Sequence, residues 1–186
     1  MRRILIVDDR PERPKTHLSK EVVEKIKSLE GLDFVSELTS SEDLSAYDVI
    51  AMHRTYVKIH DLQRSLHDLA CKEGKFVILY SGGISQLTVS EQGHMMTIPA
   101  SEFYSGRLLQ FCEDLILSDE PVQLFKLVYG RKGWKLPLCM RIRQILWQDP
   151  ELESDGNYEE VQELKNILDL QGETVDEAIE KIVKGI

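Results

Sequence analysis

The sequence predicts an α/β fold in which a parallel five-stranded sheet is covered by helices on both faces. Short apolar runs that favour β-structure alternate with segments whose apolar residues recur at helical spacing, and this alternation is typical of βαβ units. The first run, Ile4–Val7, contains no polar residue, as expected for a strand buried on both faces. A chain of 186 residues is long enough for one such domain with an extension.

Each element of the first domain follows from a local pattern. The predicted strands are 4–7, 34–38, 48–52, 75–80 and 94–98. The predicted helices are 18–29, 60–72 and 101–118. Ser40 and Ser41 are N-cap candidates for a further short helix that ends at Ala46. The pattern assigns no element to 84–93.

The composition changes at the Asp-Glu-Pro run that occupies 119–121, and this change predicts a boundary. Residues 1–118 form the predicted α/β domain, and residues 119–186 form a helical extension. Charged and proline-rich stretches of this kind commonly separate folded elements.

The extension has two parts of opposite charge. Its basic segment, 126–143, has six basic residues and no acid. The part from Asp149 to residue 186 has twelve acidic residues and three lysines. An acidic helical pair is predicted over 157–186, with Thr174 and Glu177 in capping-box spacing. We expect the apolar stripe of this pair to be buried against the first domain, a second copy or a partner. The stripe comprises Val161, Leu164, Leu168, Ile179, Ile182 and Val183.

The overall composition excludes several classes of protein. The formal net charge is −9, which argues against a general nucleic-acid coat protein because phosphate binding depends on Lys and Arg. The three cysteines are odd in number and lack CxxC spacing, so a reducing compartment, the cytoplasm, is expected. No apolar run approaches the ~20 residues of a membrane helix, so we expect no membrane partner.

Polar residues follow three of the predicted strands and define one candidate site. Asp8 and Asp9 follow the first strand, His53 the third and Ser81 the fourth. In a doubly wound parallel sheet, ligands bind beyond the carboxyl ends of the strands. Two adjacent carboxylates at such a place can hold a hard divalent cation.

Three segments carry a resemblance to a known family. They are 4–9 (ILIVDD), 47–53 (YDVIAMH) and 76–82 (FVILYSG). In their order and spacing they resemble response-regulator receiver domains over roughly residues 1–118. The resemblance implies a flavodoxin-like, receiver-type fold, with Asp8 and Asp9 as the acid pair and Ser81 as the hydroxyl residue.

The same resemblance implies that the family's phosphorylation chemistry is lost. His53 occupies the place of the phosphoacceptor aspartate, Ile98 that of the lysine and Met95 that of the switch aromatic. Acyl-phosphate formation needs a nucleophilic carboxylate, a cation on the phosphoryl group and a second positive charge. The chain therefore resembles a pseudo-receiver.

Two interpretations of the acid pair remain open. Asp8, Asp9 and His53 could hold a divalent metal, an O,O,N set that suits a transition metal better than Mg²⁺. Alternatively, local hydrogen bonds or Arg54 hold the acids, and His53 fills the space beside them with a raised pKa. His60 and His67, seven residues apart, are predicted to share one solvated helix face.

The basic segment also has two interpretations. With its aromatic residues it could contact nucleic acid, or it could pair with acidic groups of the tail or of a partner. Its basic residues are Lys126, Arg131, Lys132, Lys135, Arg141 and Arg143.

These observations predict a non-enzymatic signalling or adaptor module without a cofactor. It would act through phosphorylation-independent contact with a protein partner or a second copy. The alternatives are a metal- or phosphate-responsive receiver that uses Asp8, Asp9, His53 and Ser81, and a nucleic-acid-binding regulator that uses 126–143.

Overall fold

A computed structural model describes residues 1–39, 43–148, 159–170 and 172–184. The predicted cap residues Ser40 and Ser41 and the start of the acidic helical pair lie outside these ranges. The chain divides into two compact units, Met1–Val128 and Tyr129–Ile186.

The first unit is an α/β structure built on a six-stranded, mostly parallel sheet. Its strands are β1 (Ile4–Val7), β2 (Leu32–Val35), β3 (Val49–His53), β4 (Phe76–Ser81), β5 (Thr88–Ser90) and β6 (Met95–Pro99). The strand order is β2-β1-β3-β4-β6-β5, and only β5 runs antiparallel to its neighbour. The α/β prediction is confirmed, whereas the prediction of five strands is wrong. The additional strand, β5, lies in the unassigned segment 84–93 and has three residues, too few for an alternating pattern to be recognised.

The helices of the first unit differ in two places from the prediction. They are α1 (Lys20–Lys27), α2 (Arg54–Ile59), α3 (Gln63–Glu73), α4 (Ala100–Phe103) and α5 (Leu108–Leu117). The helix predicted over 60–72 begins only at Gln63 in the structure, because Asp61 has a positive φ of 52° and separates α2 from α3. His60 ends α2 and His67 lies on α3, so the predicted shared helix face of the two histidines is wrong. The predicted helix 101–118 is likewise divided into α4 and α5.

Both faces of the sheet are covered by helices. Side chains alternate along each strand, and one set packs with α2 and α3. This cluster comprises Leu5, Val7, Tyr47, Ile50, Met52, Tyr56, Val57, Leu66, Leu69, Ala70 and Val77. Away from this cluster, α1 contacts β2 and α5. Full burial of an aliphatic side chain contributes about 1.5–3 kcal/mol of stability. The buried side chains of the strands therefore hold the sheet, and with it the strand ends, in place.

The second unit contains helices that pack on one another. Helix α6 (Phe125–Gly133) crosses the boundary between the units and is interrupted at Gly130, where φ is 79°. It is followed by α7 (Lys135–Gln148), α8 (Glu159–Leu168) and α9 (Val175–Lys184). Both α8 and α9 contact α7.

The apolar stripe of the acidic pair is covered in part by this packing. Val161, Leu164 and Leu168 are buried, and Ile179 and Ile182 are half-buried. Val183, however, is 70% exposed. Within this chain α7 is a covering element that the sequence did not indicate, and burial of Val183 against a second copy or a partner stays a prediction.

The start of α9 follows the predicted capping box. The Thr174 backbone N–H donates to Glu177 Oε2 at 2.8 Å, and the Glu177 N–H donates to Thr174 Oγ1 at 3.3 Å. Both bonds satisfy donors that the first turn of a helix leaves free. Within the described ranges, none of the helices has the length and apolar character needed to cross a membrane.

Candidate functional site: an acid pair with an internal counter-charge

The candidate residues lie at the carboxyl edge of the sheet. Strands β1, β3 and β4 are parallel neighbours, with Val7 beside Met52 and Met52 beside Leu79. Asp8 and Asp9 follow β1 directly, while His53 and Ser81 are the last residues of β3 and β4. The topology therefore brings all four to one edge, as expected for parallel strands.

Asp8 is completely buried, with 0% of its surface exposed, and both carboxylate oxygens accept hydrogen bonds. Oδ1 accepts from the Arg10 backbone N–H at 2.9 Å and from the Arg13 guanidinium. Oδ2 accepts from the Tyr104 hydroxyl at 2.6 Å. A buried carboxylate is stable only when it is paired and hydrogen-bonded, and these three donors meet that requirement.

Arg13 is the counter-charge of both acids. Its Nη1 atom bonds Asp8 Oδ1, and its Nη1 and Nη2 atoms each lie 3.3 Å from Asp9 Oδ1. The Arg13 side chain is only 14% exposed. Burial alone would lower the pKa of this guanidinium, but the adjacent Asp8 and Asp9 carboxylates outweigh it, and the pKa is raised.

A local turn holds Arg13 in this position. Pro14 is buried and begins a 3-10 turn over Pro14–Thr16, where its fixed φ is favourable. The Arg13 N–H donates to the Arg10 carbonyl at 2.9 Å, and the Thr16 hydroxyl donates to the Arg13 carbonyl at 2.7 Å. The backbone of the loop is thus fixed on both sides of Arg13.

His53 lies beside the acids but is not hydrogen-bonded to them. Its buried Nδ1 atom is 3.4 Å from Asp9 Oδ1 and has no hydrogen-bond partner. Burial and the charge of Arg13 lower the pKa of His53, although Asp9 and Asp8 act in the opposite direction. The prediction of a raised pKa is therefore wrong, because a guanidinium already balances the acids and burial disfavours a second cation.

Two tyrosines continue the network behind Asp8. The Tyr80 hydroxyl donates to the Val7 carbonyl at 2.9 Å and lies 3.1 Å from the Tyr104 hydroxyl. Burial is the main cause of the raised pKa of both phenols, so both remain protonated donors. The Tyr80 ring also stacks on Phe103, with 4.0 Å between the ring centroids, which fixes the position of the hydroxyl.

Ser81 takes part in a turn and not in the acid network. Its Oγ atom accepts from the Gly83 N–H at 3.3 Å. Within the described residues, no hydrogen bond or ion pair links Ser81 to Asp8, Asp9 or His53. The structure therefore brings three of the four predicted site residues together and leaves the fourth in the neighbouring turn.

Arg13 and Tyr104 are the members of the site that the sequence analysis missed. Arg13 follows Asp9 at a spacing of four residues, which is a signal for an ion pair, but it lies in a segment interpreted only as a polar loop. Arg54, the predicted counter-charge, is exposed at the start of α2. Tyr104 is 96 residues from Asp8, and no local pattern indicates such a contact.

At the carboxyl edge, a divalent cation at the acid pair would have to compete with Arg13. A hard cation needs free carboxylate oxygens, and here Arg13 donates to both Asp8 and Asp9. The metal set of Asp8, Asp9 and His53 remains a prediction, with Arg13 as its competitor.

Comparisons of the chain with protein-family models, with curated proteins and with solved structures found no match.

The basic residues of 126–143 belong to both units. Lys126, in the first unit, lies 3.0 Å from Glu120. Arg143 Nε, in the second, lies 3.5 Å from Asp176 Oδ1 of the acidic tail. The remaining basic residues are exposed on α6 and α7: Arg131, Lys132, Lys135 and Arg141. Lys126 and Arg143 thus each have an acidic partner within their own unit.

Proposed function

We propose that the first unit is a flavodoxin-like pseudo-receiver that acts by contact with a protein, without being phosphorylated. The observation that carries this proposal is the Arg13 guanidinium, which bonds both Asp8 and Asp9. A receiver-type site would use these two carboxylates for a divalent cation. In this chain, a side chain of the protein supplies the positive charge instead.

The composition of the site supports the loss of phosphoryl transfer. Transfer to a carboxylate requires a nucleophilic oxygen, a cation on the phosphoryl group and a further positive charge. His53 lies where the nucleophile would be, and Ile98 lies where the resemblance implies a lysine. The buried imidazole has a lowered pKa, so it does not supply the missing charge at neutral pH.

The strand order supports the flavodoxin-like assignment. If the short antiparallel β5 is set aside, the order β2-β1-β3-β4-β6 corresponds to the 2-1-3-4-5 order of flavodoxin-like folds. Asp8 follows β1 and His53 ends β3, and these two strands are adjacent. The acid network thus lies at the place where such folds carry their sites.

Two exposed apolar residues on α7, in the second unit, support the protein-contact part of the proposal for the chain as a whole. Trp147 is 86% exposed and Met140 is 50% exposed. The two residues are seven positions apart, so they lie on one side of the helix. Aromatic residues and Met are enriched in protein interfaces.

The three free cysteines agree with the cytoplasm as the place of action.

The test is treatment with phosphodonors. Wild type and His53→Asp are incubated with Mg²⁺ and acetyl phosphate or beryllofluoride, and intact mass and amide NMR shifts are recorded. We expect neither protein to gain a phosphoryl group or to change its shifts, because Arg13 fills the cation position in both. A receiver domain that accepts phosphate from the same donor is the positive control.

Three results would contradict the proposal. Phosphorylation of wild type would show that the site retains its chemistry, and phosphorylation of His53→Asp would show that Arg13 does not exclude the cation. Binding to DNA or RNA that falls steeply with salt, and that is lost when Arg131, Lys132 and Arg141 are changed to Gln, would instead support the nucleic-acid regulator.

A further inference from the structure

A second group of polar side chains lies at the opposite edge of the sheet from the acid pair. His67 and Cys71 are on α3, and Glu91 begins the 3-10 turn that connects β5 to β6. The parallel strands β4 and β6 both begin at this edge. The ligating atoms of the three side chains all lie within 4.8 Å of one another.

The three side chains already contact one another. The Cys71 thiol donates to Glu91 Oε2 at 2.8 Å, and His67 Nδ1 lies 3.2 Å from Glu91 Oε1. His67 and Cys71 are four residues apart on α3, so they share one helix face. His67 and Cys71 are exposed and Glu91 is half-buried, which leaves the group open to ions from solvent.

We propose that His67, Cys71 and Glu91 form a zinc site with one position open to water. Thiolate, imidazole and carboxylate are the protein ligands of Zn²⁺, and the sulfur and nitrogen donors disfavour Mg²⁺ and Ca²⁺, which prefer oxygen. Three protein ligands with a fourth position for water is a common arrangement for this ion. The site is separate from the acid pair and shares no residue with it.

The distances agree with a tetrahedral ion. Zinc–ligand bonds of about 2.0 Å to N and O and about 2.3 Å to S give edges of about 3.3 Å between N and O and about 3.5 Å from S. The observed distances are 3.2 Å from His67 Nδ1 to Glu91 Oε1 and 3.7 Å from Cys71 Sγ to His67 Nδ1. With Glu91 Oε1 as the ligand atom, the 2.8 Å hydrogen bond from the Cys71 thiol to the other carboxylate oxygen, Oε2, is lost when the thiol proton leaves on metal binding.

Metal binding exchanges a proton for the ion. The hydrogen bond to Glu91 raises the pKa of the Cys71 thiol, so the metal-free site holds this proton between sulfur and carboxylate. Zn²⁺ binds the thiolate, and the thiol proton is released to solvent. Affinity should therefore increase with pH. The bound ion would connect α3 to the turn that precedes β6.

The test uses Co²⁺ as a spectroscopic probe on the full chain after removal of metals with a chelator. We expect one Co²⁺ per chain, a thiolate-to-cobalt charge-transfer band in the near ultraviolet and ligand-field bands typical of tetrahedral cobalt, all removed by added Zn²⁺. Cys71→Ser should abolish the charge-transfer band. His67→Ala and Glu91→Gln should each weaken binding by at least about tenfold. Glu73→Gln, an exposed carboxylate change on the same helix, is the matched control and should bind normally.

Alkylation of thiols gives an independent measurement. Cys71 is exposed, whereas Cys112 and Cys139 are buried, so one thiol per native chain should react and Zn²⁺ should protect it. Circular dichroism checks that each variant is folded. A charge-transfer band that persists in Cys71→Ser, or a wild type that shows neither the cobalt spectrum nor protection by Zn²⁺, would overturn the proposal.

Discussion

Replacement of Arg13 by methionine tests the role of the internal counter-charge. Methionine keeps an unbranched apolar side chain and removes the charge, which leaves the fully buried Asp8 carboxylate without a cation. Removal of one partner of a buried ion pair typically costs ~3–5 kcal/mol. Asp8 keeps the Tyr104 hydroxyl at 2.6 Å and the Arg10 N–H at 2.9 Å, so we expect the lower end, about 3 kcal/mol.

Thermal and urea unfolding measure this loss. For a domain of this size, about 3 kcal/mol corresponds to a fall of about 10 °C in the melting temperature. Arg10→Met is the matched control, because the exposed Arg10 contributes only its backbone N–H to Asp8. The control should stay within about 0.5 kcal/mol of wild type.

Two further measurements separate charge from packing. The double variant Asp8→Asn/Arg13→Met should recover much of the loss, because no buried charge remains. Mg²⁺ or Mn²⁺ should stabilise Arg13→Met and not wild type, because the carboxylate oxygens then become available. A loss below about 1 kcal/mol, the value of an exposed pair, would refute the reasoning.

Three further predictions concern single side chains. Tyr104→Phe removes a hydrogen bond to the buried Asp8 carboxylate and should lower the free energy of unfolding by about 1.5–3 kcal/mol in urea titrations, and a loss within error of zero would exclude that bond. Because the pKa of His53 is lowered in the folded state, the unfolded chain binds the proton first as the pH falls below about 6.5. Stability should therefore decrease there, and His53→Gln should flatten this part of the pH profile; an unchanged profile would contradict the burial argument. Trp147→Ala should leave the melting temperature within about 2 °C of wild type and weaken association in sedimentation or partner-binding assays, whereas normal association would remove α7 from the proposed contact.

The central strands could be predicted because their signal is local. Each consists of a run of apolar residues long enough to stand out, and the predicted 48–52 and 75–80 differ from Val49–His53 and Phe76–Ser81 by a single residue at each end. Strand β5 could not be predicted in this way. It forms by pairing with β6, and its three residues carry no pattern of their own.

The site was predictable in its location and not in its chemistry. The ends of the parallel strands placed Asp8, Asp9 and His53 together, because topology alone determines which strand ends share an edge. The balance of charge depends on Arg13, whose position is set by the turn at Pro14. It also depends on Tyr104, which follows α4. Contacts of this kind arise from packing between distant segments, and a linear pattern does not contain them.

The charge that Arg13 brings to the acid pair differs from a bound metal in one further respect: it is tethered. An ion in solution occupies a site according to its concentration and dissociation constant, and a chelator can remove it. A guanidinium four residues from Asp9 on the same chain has a fixed effective concentration that no change in the medium alters. For the proposed pseudo-receiver, a tethered charge would make the signal constitutive. The cell could then set the strength of that signal only through the rates at which the protein is synthesised and degraded.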